Sequence, residues 1–224
     1  MKITKHIPNS ITCLNLFSGS FAVYFGFQGN YTAVLIAILI AGVFDFLDGF
    51  AARAFKAYSP MGKELDSLAD VISFGMAPGI IAFSLLEQSN LPDWMKFSGF
   101  IIPVFSALRL AKFNIDENQT TSFIGLPTPA NAIFWAGLSY SFPGFLIEQP
   151  WIVLISILIF SYLLVSKLPM FSLKFKSAGW AKNKMQYIFL AGCIALLIIF
   201  GLGAFAPIIV WYLLSSAALA PLFK

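Results

Sequence analysis

Residues 45–70 read DFLDGFAARAFKAYSPMGKELDSLAD, and this stretch decides how the rest of the chain is interpreted. Asp45 and Asp48 are three residues apart in one apolar segment, and Asp66 and Asp70 are four apart at the start of the next. Spacings of three and four place each pair on one face of a helix. A short connecting loop would fold the two helices into an antiparallel hairpin, so we expect the four carboxylates to converge.

The composition places this hairpin in a membrane. Hydrophobic residues make up 59% of the 224 residues and charged residues only 11%, with 10 acids in all, whereas soluble domains are about 25% charged. This excludes a soluble globule, a disordered chain and a coiled coil, and it predicts an all-α polytopic membrane protein. The net charge of +4 is typical of basic inner loops that contact anionic lipids, so we expect no nucleic-acid partner.

Polar and Gly/Pro breaks divide the chain into eight apolar segments. If the N-terminus lies in the cytoplasm and the helices alternate, all of the 14 Lys and Arg residues except Lys96 fall on the cytoplasmic side. This sorting obeys the positive-inside rule and predicts that both termini are cytoplasmic. The predicted helices are 8–28, 31–57, 64–88, 95–114, 128–146, 151–167, 185–203 and 205–222.

No soluble domain interrupts these segments, so we interpret residues 1–224 as a single membrane domain. Residues 168–184 mix Lys with Phe and Trp, which indicates either an interfacial segment on the cytoplasmic side or a plain basic loop. Residues 185–222 form a C-terminal helix pair, for which a re-entrant hairpin is the alternative. Gly75 and Gly79 form a G-x-x-x-G spacing that favours close helix packing.

Four clustered carboxylates near a bilayer repel one another and are costly unless compensated. Arg53 alone cannot balance them. Carboxylate oxygens suit Mg²⁺, Mn²⁺ or Ca²⁺, and the lack of clustered His or Cys argues against zinc. Two such ions commonly serve phosphoryl chemistry. The alternatives are two helix-capping or salt-bridging pairs, and a cation or proton pathway in a transporter.

The spacing resembles a known signature at every defined position, that of the CDP-alcohol phosphotransferase family. In this chain the pattern is Asp45-x2-Asp48-Gly49-x2-Ala52-Arg53-x8-Gly62-x3-Asp66-x3-Asp70. Small residues on the acidic face let a nucleotide or its phosphates approach the helix, and an Arg pairs with phosphate through two hydrogen bonds. A transporter would not explain these Gly, Ala and Arg positions, and the chain shows no inverted repeat.

The resemblance implies a fold and a reaction. Family members transfer a substituted phosphate from a CDP-linked donor to an alcohol and release CMP, and they share a six-helix core that is often a homodimer. Here residues 8–167 would form that core, with the C-terminal pair as an addition. The four Asp residues are implied to bind two divalent ions, Mg²⁺ or Mn²⁺ (Ca²⁺ could replace them in a crystal), and Asp70 is implied to be the general base.

The resemblance also implies which residues hold the donor, CDP-diacylglycerol. They are Asn9, Thr12, Asp48, Gly49, Ala52, Arg53 and Gly62. Asn9 and Thr12 have an alternative interpretation as the N-terminal cap of the first helix.

Residues 7–19, 61–79 and 108–132 resemble the family members that use serine as the alcohol. We therefore expect L-serine to attack the β-phosphorus in a direct displacement at the cytoplasmic face of the cell membrane, giving phosphatidylserine and CMP. Arg109, helped by Lys112 and beside Asn114, would hold the serine carboxylate; the alternative is that the two cations are positive-inside anchors. Glycerol 3-phosphate or an inositol phosphate are the alternative acceptors.

A loop between the fourth and fifth predicted helices would shape the acceptor side. Residues 124–129 read IGLPTP, and the alternative is that Thr128 and Pro129 simply open the fifth helix.

Overall fold

The computed structural model describes residues 6–115, 123–170 and 180–219, and nearly all of them are helical. The short strands β1 (Phe123–Ile124) and β2 (Pro169–Met170) form one antiparallel pair. The helices are α1 (Ile7–Phe27), α2 (Tyr31–Ala54), α3 (Pro60–Asp70), α4 (Ala77–Glu87), α5 (Asp93–Lys96), α6 (Ile101–Ile115), α7 (Thr128–Ser141), α8 (Pro143–Glu148), α9 (Pro150–Val165), α10 (Trp180–Phe200) and α11 (Phe205–Leu219). Residues 171–179 of the predicted interfacial segment lie outside the described residues.

Five helical stretches among the described residues are long and apolar enough to cross a membrane, which confirms an all-α integral membrane protein. They are Ile7–Phe27, Tyr31–Ala54, Pro60–Glu87, Asp93–Ile115 and Asn183–Ala218. The last of these contains both α10 and α11, and α9 is a shorter apolar helix. The count of eight membrane spans stays a prediction.

The turn between α2 and α3 is shorter than predicted. Helix α2 ends at Ala54 rather than at residue 57, because Lys56 adopts a left-handed φ of 49° that stops the helix. Helix α3 begins at Pro60 rather than at residue 64. The Ser59 hydroxyl accepts a hydrogen bond from the Gly62 backbone N–H at 3.0 Å, and a proline is favoured in the first turn.

Helix α3 runs into α4 through one π-helical turn, Val71–Met76. Pro78 has no backbone N–H to donate to the carbonyl one turn earlier. The missing hydrogen bond is the physical reason why the turn before it is wider than an α-helical turn. A Cβ on Gly75 would lie 3.0 Å from Ser106 Cβ, and one on Gly79 would lie 2.8 Å from Pro103 Cδ. The predicted close packing at the G-x-x-x-G spacing is therefore confirmed, and α6 is the partner helix.

The predicted helix 128–146 is wrong over its last five residues. Helix α7 ends at Ser141, because Phe142 leaves helical geometry (φ −135°, ψ 42°) before Pro143 opens the separate short helix α8.

The C-terminal pair is attached to the remaining helices chiefly by α11. A Cβ on Gly137 of α7 would lie 2.6 Å from the Ala206 backbone nitrogen, so the two helix backbones are in close contact. Gly201, with a φ of 54°, begins the 3₁₀ turn Gly201–Ala204 that joins α10 to α11. Of the predicted pair 185–222, residues 185–200 lie in α10 and residues 205–219 lie in α11.

Candidate active site

The four acidic residues of the hairpin converge as the spacing predicts. Carboxylate oxygens of Asp45 and Asp48 on α2 and of Asp66 on α3 all lie within 4.8 Å of one another. Asp70 is close enough to Asp45 and Asp66 for their charges to interact, so it adjoins the same cluster. Asp48 and Asp70 are buried, at 6% and 8% exposure.

Asp70 is held by a residue that the sequence analysis did not single out. The Asn15 side-chain amide on α1 donates to Asp70 Oδ1 at 3.3 Å, and the Ser73 hydroxyl donates to the Asn15 carbonyl at 3.1 Å. Asn15 is fully buried. A signal was available, because Asn15 follows Thr12 by three residues in an apolar span, and a polar residue within a span is costly unless it has a function.

The cluster fits a divalent metal. Asp48 Oδ2 and Asp66 Oδ1 are buried without a hydrogen-bond partner, so two ligand oxygens are uncommitted. Among the described residues, the ion pairs within 4.0 Å join Lys96 to Glu87 and Asp93, away from the hairpin. An all-oxygen donor set of this kind suits Mg²⁺, Mn²⁺ or Ca²⁺.

A cavity of about 610 Å³ opens beside the acids. Six of the seven residues predicted to hold the donor line it: Asn9, Thr12, Asp48, Gly49, Ala52 and Gly62. A Cβ on Gly62 would lie 3.0 Å from Asn9 Oδ1, so any larger residue there would have to displace the Asn9 side chain. The lining also contains Tyr58 and Lys63, which sequence reasoning missed.

The seventh donor residue, Arg53, lies beside this cavity and not in its lining. Its side chain is exposed, and Nη1 lies 3.7 Å from the position of a Cβ on Gly49. Arg53 is thus placed at the rim, next to one of the small residues of the motif.

A second cavity, of about 430 Å³, contains two of the three residues predicted for serine. Arg109 and Lys112 line it, together with Ser166 and Lys167, which directly follow α9 and which the sequence analysis missed. Arg109 is 8% exposed, and its Nε has no hydrogen-bond partner. Its guanidinium lies 6.0 Å from the Phe113 ring centroid and is close enough to Asp70 for their charges to interact.

The third predicted residue, Asn114, does not line this cavity. Its side-chain amide donates to the Ser67 hydroxyl at 2.7 Å, and its carbonyl accepts from Lys63 Nζ at 2.8 Å. The structure therefore places Asn114 between α6 and α3.

Residues 124–129 adjoin the second cavity, and Thr128 and Pro129 open α7, as the alternative interpretation predicts. That this loop shapes the acceptor side stays a prediction. Ile124 lines the second cavity, and Gly125 has a φ of 77° that favours glycine. The Gly125 and Leu126 N–H groups donate to the carbonyls of Leu168 and Leu163, both at 2.9 Å. A Cβ on Gly125 would lie 2.7 Å from the Leu164 carbonyl oxygen, so a larger residue would push the loop off α9.

Fold and site together define a class: a helical membrane protein with a cluster of acidic residues on two helices, a cavity beside that cluster and a second cavity lined by basic residues. The family model for CDP-alcohol phosphatidyltransferases matches residues 5–165. The chain belongs to this family.

Three proteins that are similar to this chain share one name. The CDP-diacylglycerol–serine O-phosphatidyltransferase of Bacillus subtilis is 34% identical over 73% of this chain and 89% of its own length. The enzyme of the same name from Methanocaldococcus jannaschii is 35% identical over 73% of this chain and 75% of its own. The one from Mycobacterium leprae is 32% identical over 73% of this chain, which corresponds to 57% of that longer protein.

Proposed function

We propose that this protein transfers the phosphatidyl group of CDP-diacylglycerol to the hydroxyl of L-serine, forming phosphatidylserine and CMP. The observation that carries the proposal is the cluster of Asp45, Asp48 and Asp66 oxygens within 4.8 Å, next to a cavity lined by the family's small residues. The choice of serine is supported by the names of the relatives.

The donor occupies the 610 Å³ cavity. The missing side chains at Gly49 and Gly62 leave room for its cytidine and diphosphate, and Asn9 and Thr12 offer hydrogen bonds from α1. Arg53, at the rim, pairs with a phosphate oxygen through its planar guanidinium. The cavity lies at one end of the hairpin, so a lipid donor can keep its acyl chains in the bilayer.

Asp45, Asp48, Asp66 and Asp70 hold two divalent ions, Mg²⁺ or Mn²⁺. When bound, these ions neutralise the carboxylates and stabilise the negative charge that develops on the diphosphate. The serine hydroxyl forms a new bond to the β-phosphorus, the phosphoanhydride bond to CMP breaks, and Asp70 accepts the hydroxyl proton. Asn15 keeps the Asp70 carboxyl in position.

Arg109 holds the serine carboxylate in the second cavity. A buried guanidinium with a free Nε is suited to a carboxylate partner, and Lys112 adds a second positive charge. Arg109 is close enough to Asp70 for their charges to interact, which supports a position of the serine near the proposed base. A free amino acid would enter from the cytoplasm, so we propose that the site faces the cytoplasm from the cell membrane. The homodimer remains an expectation from the family.

The proposal is tested with purified protein, Mg²⁺ or Mn²⁺ and CDP-diacylglycerol. CMP release is measured with serine, glycerol 3-phosphate, inositol phosphate or myo-inositol as the acceptor. We expect CMP with serine only, and a phosphatidylserine product identified by mass spectrometry. Release only with another alcohol would replace the serine assignment by that acceptor, and no release with any alcohol would contradict the enzyme reading and favour a cation transporter.

A further inference from the structure

Lys63 is the one cationic residue in the described lining of the donor cavity. It lies on α3, one residue after Gly62 and three before Asp66. A CDP-linked donor brings a negatively charged diphosphate into a cavity that already contains two carboxylates, Asp48 and Asp66. A cation in that lining lowers the electrostatic cost of donor binding, in addition to what metal ions and the rim residue Arg53 provide.

The same ammonium group contacts the helix that carries the second cavity. Lys63 Nζ donates to the Asn114 carbonyl oxygen at 2.8 Å. Asn114 is the next-to-last residue of α6, and the last carbonyls of a helix have no partner within the helix. Lys63 therefore supplies a hydrogen bond that the end of α6 otherwise lacks.

A second hydrogen bond makes this connection specific. The Asn114 side-chain amide donates to the hydroxyl of Ser67, one turn after Lys63 on α3, at 2.7 Å. The end of α6 is thus attached to α3 by both its backbone and its side chain. Arg109 and Lys112 are on this same end of α6 and line the second cavity.

We propose that Lys63 binds the donor diphosphate and couples the donor cavity to the acceptor cavity. An ammonium group has three N–H donors, so one can stay on the Asn114 carbonyl while others bind phosphate oxygens. Donor binding then fixes Lys63, and through Asn114 it fixes the end of α6, where Arg109 holds the acceptor carboxylate. The acceptor consequently binds better to the donor-loaded protein, and by linkage the donor binds better when acceptor is present. This inference rests on the proposed function.

The alternative is that Lys63 only fastens two helices together. In that case its loss would lower thermal stability, while each substrate would bind independently of the other. The two explanations differ in donor affinity and in coupling, which are measured separately from stability.

The test uses the full-length protein in CDP-diacylglycerol mixed micelles with Mn²⁺. Initial rates of CMP release are measured over a grid of donor and serine concentrations for the wild type, Lys63→Met and Lys63→Arg. Lys56→Met is the matched control, because Lys56 is an exposed lysine of the α2–α3 turn that does not line the cavity. Size-exclusion chromatography checks that each variant is folded.

For Lys63→Met we expect the donor KM to rise at least about tenfold, as for loss of a charge-assisted hydrogen bond. We also expect the wild-type serine KM to fall about fivefold or more as donor concentration rises, in the usual range of coupling energies, and to be independent of donor in Lys63→Met. Lys63→Arg should recover most of the donor affinity, and Lys56→Met should behave like the wild type.

An unchanged donor KM in Lys63→Met, with an active wild type, would overturn the inference and leave the proposed function intact. A raised donor KM with unchanged coupling would overturn the link to the acceptor cavity. A wild type that releases no CMP with any acceptor would instead contradict the proposed function itself.

Discussion

Two long apolar stretches of this protein, Pro60–Glu87 and Asn183–Ala218, differ sharply in how they are buried. In the most apolar 18-residue window of the first stretch, 72% of the residues are buried, whereas the figure for the second is 17%. Yet the second is the more apolar of the two. In a bilayer, apolar residues face lipid as readily as protein. Hydropathy therefore identifies the spans, but it does not identify the interior.

Polar residues, and not hydropathy, indicate which membrane helices lie in the protein interior. The first stretch carries Asp66 and Asp70 and is packed against α1, α6 and α7. The C-terminal pair presents side chains such as Ile198 and Ile199, which are 79% and 69% exposed. A helix that holds costly polar groups must be surrounded by partners for them, whereas an apolar helix can face lipid. The following predictions test this comparison.

The largest effect is expected for Asp66→Asn, which removes one charge from the cluster without changing its size. We expect CMP release to fall at least about 100-fold at every Mg²⁺ or Mn²⁺ concentration, because charge stabilisation at the reacting group is lost. Steady-state assays over a metal titration check this. Glu64→Gln, an exposed acid on the same helix, is the matched control and should retain nearly all activity. Substantial turnover of Asp66→Asn at high metal would show that the acids do not form one metal site.

The difference in burial between Pro60–Glu87 and Asn183–Ala218 is tested by the same Ile→Ala substitution in each stretch. Ile81, on α4, is fully buried, and Ile81→Ala should destabilise the protein by about 2–5 kcal/mol because it leaves a cavity. Ile198→Ala on α10 should cost less than about 0.5 kcal/mol, as a surface change does. Thermal denaturation followed by fluorescence-detected chromatography compares the two. Equal losses would mean that another part of the protein covers Ile198.

Some features of the site could be predicted from the sequence and others could not. The acidic hairpin was predictable because four Asp residues in an apolar chain have few physical explanations, and the spacing fixes the helix face. The ends of α2 and α3 were not, because they depend on a left-handed Lys56 and on the Ser59 cap. Both features are local backbone conformations, which cannot be derived from the hydropathy of the sequence.

The second cavity was the least predictable part of the candidate site. Arg109 and Lys112 follow from local spacing, but Lys167 comes from the segment directly after α9, far along the chain. Asn114 is close to the cations in sequence and yet bonds to Ser67 on α3. Long-range packing of the helices determines the positions of Lys167 and Asn114, and this packing cannot be derived from one sequence.

A smaller effect, confined to one kinetic parameter, is expected for Arg109→Ala. We expect the serine KM to rise about 10- to 100-fold, as for a lost hydrogen bond to a charged group, with little change in the donor KM. Lys184→Met removes another basic residue and serves as the control for general attraction of anions. If Arg109→Ala stays folded and keeps the wild-type serine KM, Arg109 is a positive-inside anchor.

The smallest effect tests whether the C-terminal pair contributes to the site at all. Tyr212 on α11 is buried and close enough to Arg109 for electrostatic interaction. Tyr212→Phe should raise the serine KM about two- to tenfold, as for loss of one hydroxyl interaction. Tyr162→Phe, at an exposed position on α9, is the matched control. No change in serine KM would mean that the pair is only a structural addition.

The central claim is that the carboxylates of α2 and α3 form one divalent-metal site, and Mn²⁺ binding followed by electron paramagnetic resonance tests it most directly. The wild-type protein with CDP should bind two Mn²⁺ ions per chain with spectra of a spin-coupled pair, and Asp66→Asn should lose the coupled signal while Glu64→Gln keeps it. Equal Mn²⁺ binding by the wild type and Asp66→Asn would contradict the account.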